Sequence, residues 1–207
     1  MTAVVGVPPS IAAHGEDMSI VGRRWRTGVL LLIVADAAFV ASLMFSYLYL
    51  RGLNTEGAWI PAHGAKAATW GNWVLAGGLV VSAGVVRWSE LAIRKQDVRR
   101  LVAGAGLAAL VVLGCIGGQI VQLATFPFRM DSGSYASAVF LIAYANLFHL
   151  LLTLFIGLGL WNRARLGRYS AAEHWQIQLG RIWFVWVALA SLATALTLSF
   201  VASPHIV

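Results

Sequence analysis

The residues of this sequence that could carry chemistry lie inside long apolar blocks. A polar side chain is costly in such a block unless it is paired or faces other protein, so each one is a functional candidate. Asp36 lies about nine residues inside the first block, which corresponds to about 14 Å of helix. We expect its carboxyl group to exchange protons or to pair helices; alternatively, it stays protonated and bonds a neighbouring backbone group or hydroxyl.

His149 is the histidine that lies deep inside an apolar block, whereas the other four lie in predicted tails or loops. Counted from the other side of the membrane, His149 lies about 20 Å inside the fourth block. That level is close to the level of Asp36, which is counted from the first side. The two side chains could therefore meet. Alternatively, His149 bonds Asn146 or Thr153 within its own helix. A haem with two histidine ligands needs a second deep histidine, so we expect no haem in this chain.

Gln119 and Gln122 are three residues apart in the third block, so they share one helix face and could line a polar seam between helices. Because they are uncharged, we expect structural hydrogen bonds there. The blocks hold no paired carboxylates, no metal-ligand cluster and no nucleophile with its base, and Cys115 is the single cysteine. The sequence therefore predicts a subunit without a catalytic site, metal or cofactor of its own.

These candidates must be positioned by membrane-spanning helices. The chain has 207 residues, of which 59% are apolar and 11% charged, and its mean hydropathy is +0.78. Five apolar runs have the length of about 20 residues that a helix needs to cross a bilayer. They are 26–50, 70–88, 101–126, 135–161 and 182–202. None alternates as the strands of a membrane barrel would, so the predicted class is an all-α bundle of five transmembrane helices.

The basic residues predict the orientation of this bundle. Twelve of the fifteen lie in the N-terminal segment and the second and fourth connections, and three lie on the opposite side. The positive-inside rule then places the N-terminus inside and the C-terminus outside. We expect a cytoplasmic tail over 1–25, a membrane domain over 26–203 and an outer tail over 204–207. The net charge of +7 is explained by bases that flank spans and meet anionic lipid, so no nucleic-acid partner is expected.

One helix boundary can be predicted from local chemistry. Ser170 is followed three residues later by Glu173, which fits a capping box. The last helix should then begin near Ala171 and run for about 30 residues, projecting from the cytoplasmic face before it enters lipid near Ile182.

The order of these features resembles subunit III of the haem-copper respiratory oxidases, in its short five-helix bacterial form, over most of 31–183. In LLIVADAAFVASLMFSYLYLRG, Asp36 stands where the family has its membrane carboxylate. RKQDVRRLVAGAGLAALVVLGCIGGQ looks like the family's basic loop and third helix, which places Gln119 on its glutamine and Gln122 on the glutamate that follows. SYASAVFLIAYANLFHLLLTLFIG is similar to the stretch that ends in Gly-Phe-His-Gly-Leu-His, with His149 aligned and Asn146 replacing the first histidine.

This resemblance implies a subunit that packs against subunit I of a haem-copper oxidase in a bacterial plasma membrane. Haem and copper would lie in partner subunits, while this chain would hold phospholipid in a cleft and support proton uptake. Two other functions stay open at this point. One is the subunit III-like protein of nitric oxide reductase, and the other is a small proton-coupled transporter, which Asp36 near mid-membrane would suit.

Overall fold

The computed structural model describes residues 18–54, 57, 59–60 and 66–203. These residues form five helices and no strand, and each helix is long and apolar enough to cross a membrane. The helices are α1 (Met18–Leu53), α2 (Trp70–Arg94), α3 (Val98–Ala124), α4 (Ser134–Arg165) and α5 (Trp175–Leu198). The predicted all-α bundle with five spans is confirmed, and its orientation in the membrane stays a prediction.

Helix α1 lies at the edge of the bundle. Helix α2 packs against α3 and α5, and α3 packs against α4, whereas α1 contacts only α4 and α5. In the most apolar stretch of α1, 6% of the residues are buried, against 33% to 44% in the other four helices. The side chain of Asp36 therefore has just two helices from which it can draw partners.

The central helices pack closely because small residues let them approach. A side chain at Gly78 of α2 would collide with the sulfur of Cys115 on α3, and one at Gly104 of α3 would collide with the Ser89 hydroxyl on α2. Such small residues at contacts are usual between membrane helices, which associate by close packing. The main core cluster is fully buried where α2, α3, α4 and α5 meet, at Leu79, Val112, Leu150 and Phe184.

The predicted start of the last helix is wrong. Helix α5 begins at Trp175 and has 24 residues. Ser170 Oγ does accept the Glu173 N–H at 2.9 Å, but the Ser170 N–H donates to the Glu173 carbonyl at 3.2 Å. The two bonds close a separate turn before the helix, so the Ser-x-x-Glu pattern does not cap it. Burial raises the pKa of the nearby Tyr169 phenol above its ordinary value, which keeps it neutral.

The other boundaries differ modestly from those predicted. Helix α1 begins at Met18, within the range predicted as a cytoplasmic tail, and α5 ends four residues before the predicted end of its span. The rest of the predicted inner tail, 1–17, and the predicted outer tail, 204–207, lie outside the described residues.

Candidate functional site

Asp36 and His149 meet inside the bundle, as their depths predicted. His149 Nε2 lies 2.9 Å from both carboxyl oxygens of Asp36. Trp186 of α5 donates its indole N–H to Asp36 Oδ2 at 2.6 Å. The side chain of Asp36 is 16% exposed and that of His149 is 6% exposed. One carboxyl group therefore joins α1 to α4 and α5, and we call Asp36 with His149 the Asp36–His149 pair.

The contacts of the imidazole show where this pair can hold protons. His149 Nδ1 lies 2.8 Å from the Ala145 carbonyl oxygen, which can only accept a hydrogen bond, so Nδ1 carries a proton. A single further proton then fits between Nε2 and the carboxyl group. It gives either an imidazolium beside a carboxylate or a neutral imidazole beside a carboxylic acid, and both forms are neutral overall. A neutral pair avoids the large cost of an isolated charge at this depth.

The alternative contacts predicted for His149, with Asn146 or Thr153, are not made by its ring, and Asn146 bonds Gln119 instead. The Thr153 hydroxyl donates to the backbone carbonyl of His149 at 2.7 Å, and the Trp183 indole N–H donates to the Thr153 hydroxyl at 3.0 Å. The imidazole ring itself bonds Asp36 and the Ala145 carbonyl. The Thr153 hydroxyl thus links α4 to α5 beside the pair, while the His149 ring bonds Asp36.

The three other predicted site residues belong to a second group, which we call the amide chain. Asn146 Nδ2 donates to Gln119 Oε1 at 2.6 Å, and Gln119 Nε2 donates to Gln122 Oε1 at 3.1 Å. Gln122 Nε2 in turn donates to Asn72 Oδ1 at 3.1 Å. The four amides join α4, α3 and α2 head to tail, so the predicted shared face of Gln119 and Gln122 is confirmed.

A small cavity lies between the pair and the amide chain. Its volume is about 20 Å³, and it is bounded by α1, α4 and α5. Most of the wall is apolar, but Asn146, His149 and Thr194 contribute polar groups. Asn146 and His149 are three apart on α4, so the cavity lies beside one helix face that carries both polar groups.

A charged cluster that was not predicted from the sequence lies near the end of α2, and we call it the Glu90 cluster. Glu90 is fully buried, and its carboxylate lies 2.9 Å from Arg87, 2.6 Å from Arg94 and 2.7 Å from Arg181. The spacing of Arg87 and Arg94 around Glu90 on one helix could have revealed two of these contacts. Arg181 belongs to α5, and no pattern within α2 indicates it. Asn72 and Trp186 were missed for the same reason.

None of these groups is built as a metal site in the part of the chain that the structure describes. No three His, Cys, Asp or Glu side chains come together there in a way that could hold an ion. His149 uses both ring nitrogens in the hydrogen bonds described above. The site can therefore link helices through its hydrogen bonds. It can also hold one proton that Asp36 and His149 share.

Two curated relatives cover most of this chain, although no protein family model matches it. One is named cytochrome c oxidase subunit 3, from Thermostichus vulcanus, and is 23% identical over 176 residues, which are 82% of this chain and 86% of the relative. Another with that name, from Synechocystis sp., is 24% identical over 168 residues, which are 78% of this chain and 71% of the relative. The resemblance predicted from the membrane carboxylate, the glutamines and His149 is thus confirmed, and this chain is a homologue of cyanobacterial proteins named cytochrome c oxidase subunit 3.

Proposed function

We propose that this chain is a non-catalytic subunit III of a haem-copper oxidase in an aerobic respiratory chain. The observation that carries the proposal is the match to two subunit III relatives over most of both lengths, on a chain with five candidate membrane spans. The subunit packs against subunit I, and the haem and copper lie in partner subunits. The predicted site residues Asp36, His149, Gln119, Gln122 and Asn146 all bond other groups within this chain, which suits a supporting subunit.

Within that function, the Asp36–His149 pair supports proton uptake by the complex. The proposal rests on the contacts of the pair, which leave one proton between Nε2 and the carboxyl group. When the shared proton leaves, a neutral imidazole and one carboxylate stay behind, and the hydrogen bond that the carboxylate accepts from the Trp186 indole N–H stabilises that single charge until a proton returns. Asp36 and His149 are the titratable unit, and Gln119, Gln122 and Asn146 are its uncharged surroundings.

A phospholipid headgroup binds at the end of the bundle that carries the Glu90 cluster. A cavity of about 660 Å³ lies there between the start of α1, the end of α2 and the start of α5. Four arginines line it, against two glutamates, which favours an anionic headgroup. They are Arg23, Arg26, Arg94 and Arg181, with Glu90 and Glu173. We expect Arg26→Gln to reduce the anionic phospholipid that co-purifies with the complex, whereas Arg165→Gln, outside this cavity, should leave it unchanged.

The complex lies in a bacterial plasma membrane with the N-terminus of this chain inside. Support comes from the five spans, from the bacterial sources of the relatives and from the basic residues at one end of the helices. A reporter fused after Val207 should therefore be active outside the cytoplasm, and one inserted near Arg165 should be active in the cytoplasm. The reverse pattern would contradict this orientation.

The test of the proposed function is purification of a tagged full-length chain from native membranes in mild detergent. We expect a haem-copper oxidase subunit I to co-purify, together with its haem spectrum. Purification of the chain alone, or with a nitric oxide reductase, would overturn the proposal. The first outcome would favour a carrier, and the second would place the chain in the other respiratory complex considered above.

A further inference from the structure

Trp186 is the third side chain in contact with the Asp36 carboxyl group. It lies on α5, is partly buried and packs against the main core cluster. Its indole N–H donates to Asp36 Oδ2 at 2.6 Å. An indole nitrogen can only donate a hydrogen bond, and it stays uncharged. The contact therefore acts on Asp36 without adding a further titratable group to the Asp36–His149 pair.

The position of the imidazole indicates where the shared proton lies. His149 Nε2 is 2.9 Å from Asp36 Oδ1 and 2.9 Å from Oδ2, so it faces the two oxygens equally. An ionised carboxyl group can accept one N–H between its two oxygens in this way. A carboxylic acid carries its proton on one oxygen, and an O–H donor would bring that oxygen closer to Nε2 than the other. The equal distances favour a carboxylate beside an imidazolium.

The other contacts of the pair fit the same form. In an imidazolium both ring nitrogens donate, and the Ala145 carbonyl oxygen lies 2.8 Å from Nδ1 to accept the second hydrogen bond. A hydrogen bond to the charged form of an acid favours that form, and Trp186 supplies one to the carboxylate. Its length of 2.6 Å is as short as that of charge-assisted hydrogen bonds, whereas bonds between neutral groups are usually longer. The other polar side chains of the small cavity, Asn146 and Thr194, are uncharged.

We propose that Trp186 is a positioning residue of the pair, which holds the carboxyl group of Asp36 ionised and so keeps the shared proton on Nε2 of His149. When the indole N–H is removed, the Nε2–H bond breaks and an O–H bond forms on Asp36. The pair then changes from an imidazolium and a carboxylate to an imidazole and a carboxylic acid, with no change in net charge. The inference deepens the proposed proton role of the pair and rests on it.

Infrared spectroscopy can read the protonation of Asp36. The C=O stretch of a carboxylic acid lies apart from the bands of a carboxylate, and it shifts in heavy water. The difference between the spectra of the wild-type chain and of Asp36→Asn, both purified from native membranes with their bound partners, reports this one group. We expect carboxylate bands and no carboxylic acid band for Asp36 in the wild-type chain. A carboxylic acid band there would overturn the proposal. The spectra can be recorded whether or not an oxidase subunit co-purifies, so failure of this inference is distinguishable from failure of the proposed function.

A matched pair of variants tests the role of the indole. Trp186→Phe removes the N–H that Asp36 accepts, and Trp183→Phe is the control. Trp183 lies three residues earlier on α5, and its N–H donates to the Thr153 hydroxyl at 3.0 Å. With each variant compared to the same variant carrying Asp36→Asn, we expect a carboxylic acid band for Asp36 in Trp186→Phe and carboxylate bands in Trp183→Phe. If Trp186→Phe does not accumulate, Trp186→Leu removes the same N–H. Carboxylate bands in both variants, or a carboxylic acid band in both, would overturn the proposal.

Discussion

Within the described helices, the carboxyl groups of Asp36 and Glu90 both contact a neighbouring helix, but their partners differ in kind. Asp36 lies in the middle of α1, and its carboxyl group contacts the His149 ring and the Trp186 indole N–H. Glu90 lies one turn from the end of α2 and is held by Arg87, Arg94 and Arg181. Those arginine side chains are 46%, 49% and 32% exposed, while that of Glu90 is 0% exposed.

The difference follows from depth in the membrane. Near a helix end, long arginine side chains can cover a buried carboxylate while their charged groups reach the polar interface. Near mid-membrane the charged groups cannot reach the interface. A carboxyl group there needs a partner with which it forms a pair of no net charge. We infer that Glu90 serves to hold α2 against α5, and that Asp36 is the carboxyl group suited to exchanging a proton.

Removing Glu90 should have the largest effect on stability. Glu90→Ala leaves three arginines close together without their acid, and loss of one partner of a buried ion pair costs about 3 kcal/mol or more. The exposed fraction of the arginines keeps the expected cost at the low end of that range. We expect a lower unfolding temperature in detergent and less chain in the membrane. Glu173→Gln, which changes an exposed glutamate at the same end, should have little effect, and equal stability of the two variants would contradict the assignment.

Asp36→Ala should lower the stability less than Glu90→Ala does. The groups that lose their partner are the Trp186 indole and the His149 ring, and both are uncharged in one of the two protonation forms of the pair. Loss of the acceptor leaves the Trp186 indole and the His149 ring without their shared partner, at about 2 kcal/mol. We expect weaker association with the complex, or a shorter working life during turnover, and an unchanged haem spectrum. Loss of haem would contradict the proposal, which places the haem in a partner subunit.

Asp36→Asn sharpens the comparison further, because it keeps a hydrogen-bonding side chain and removes the titratable proton. Normal assembly with impaired proton uptake would identify the pair as proton-exchanging. Normal assembly with normal proton uptake would mean that Asp36 is structural, as Glu90 is. Glu90→Gln should impair assembly instead, and proton uptake per assembled complex should stay normal.

Gln119→Leu should have a smaller effect on stability than either acid. Gln119 bonds both Asn146 and Gln122, so its replacement leaves Asn146 Nδ2 and Gln122 Oε1 without that partner, at a cost of about 1 kcal/mol, while Gln122 keeps its bond to Asn72. Gln122→Leu should cost less, because Gln122 is itself partly exposed whereas Gln119 is almost fully buried. Thermal unfolding of both variants in the same detergent measures the difference. A larger cost for Gln122→Leu would show that the bonds at the Asn72 end of the amide chain contribute more stability than those at the Asn146 end.

The features that the sequence predicted are those that depend on distance along one helix. The length of the apolar runs predicted the five spans, and similar depths in the spans predicted the contact between Asp36 and His149. A spacing of three residues predicted that Gln119 and Gln122 share one helix face. The Ser170 and Glu173 pattern failed because the same hydrogen bond also occurs in a turn that no helix continues.

The partners that were missed depend on how neighbouring helices are rotated. Trp186 and Arg181 on α5 complete the two acid sites, and Asn72 on α2 ends the amide chain. In a soluble helix, the apolar stripe shows which face is buried. In a membrane helix, the face toward lipid is apolar as well, so the sequence does not mark the face that meets protein.

The smallest effect is expected for Arg87→Gln, which tests whether the Glu90 cluster depends on each of its cations. Arg87 lies on the same helix as Glu90 and is nearly half exposed, so its ion pair is screened and should be worth about 0.5 kcal/mol. Glu90 would keep Arg94 and Arg181. Arg181→Gln should cost more, because Arg181 is the cation that links Glu90 to α5 and is the least exposed of the three. The unfolding temperatures of the two variants, measured at low and high salt, distinguish the two ion pairs. High salt should remove the small contribution of the exposed Arg87–Glu90 pair and leave that of the Arg181–Glu90 pair largely unchanged. Equal costs would mean that total charge, and not the link between helices, stabilises the buried carboxylate.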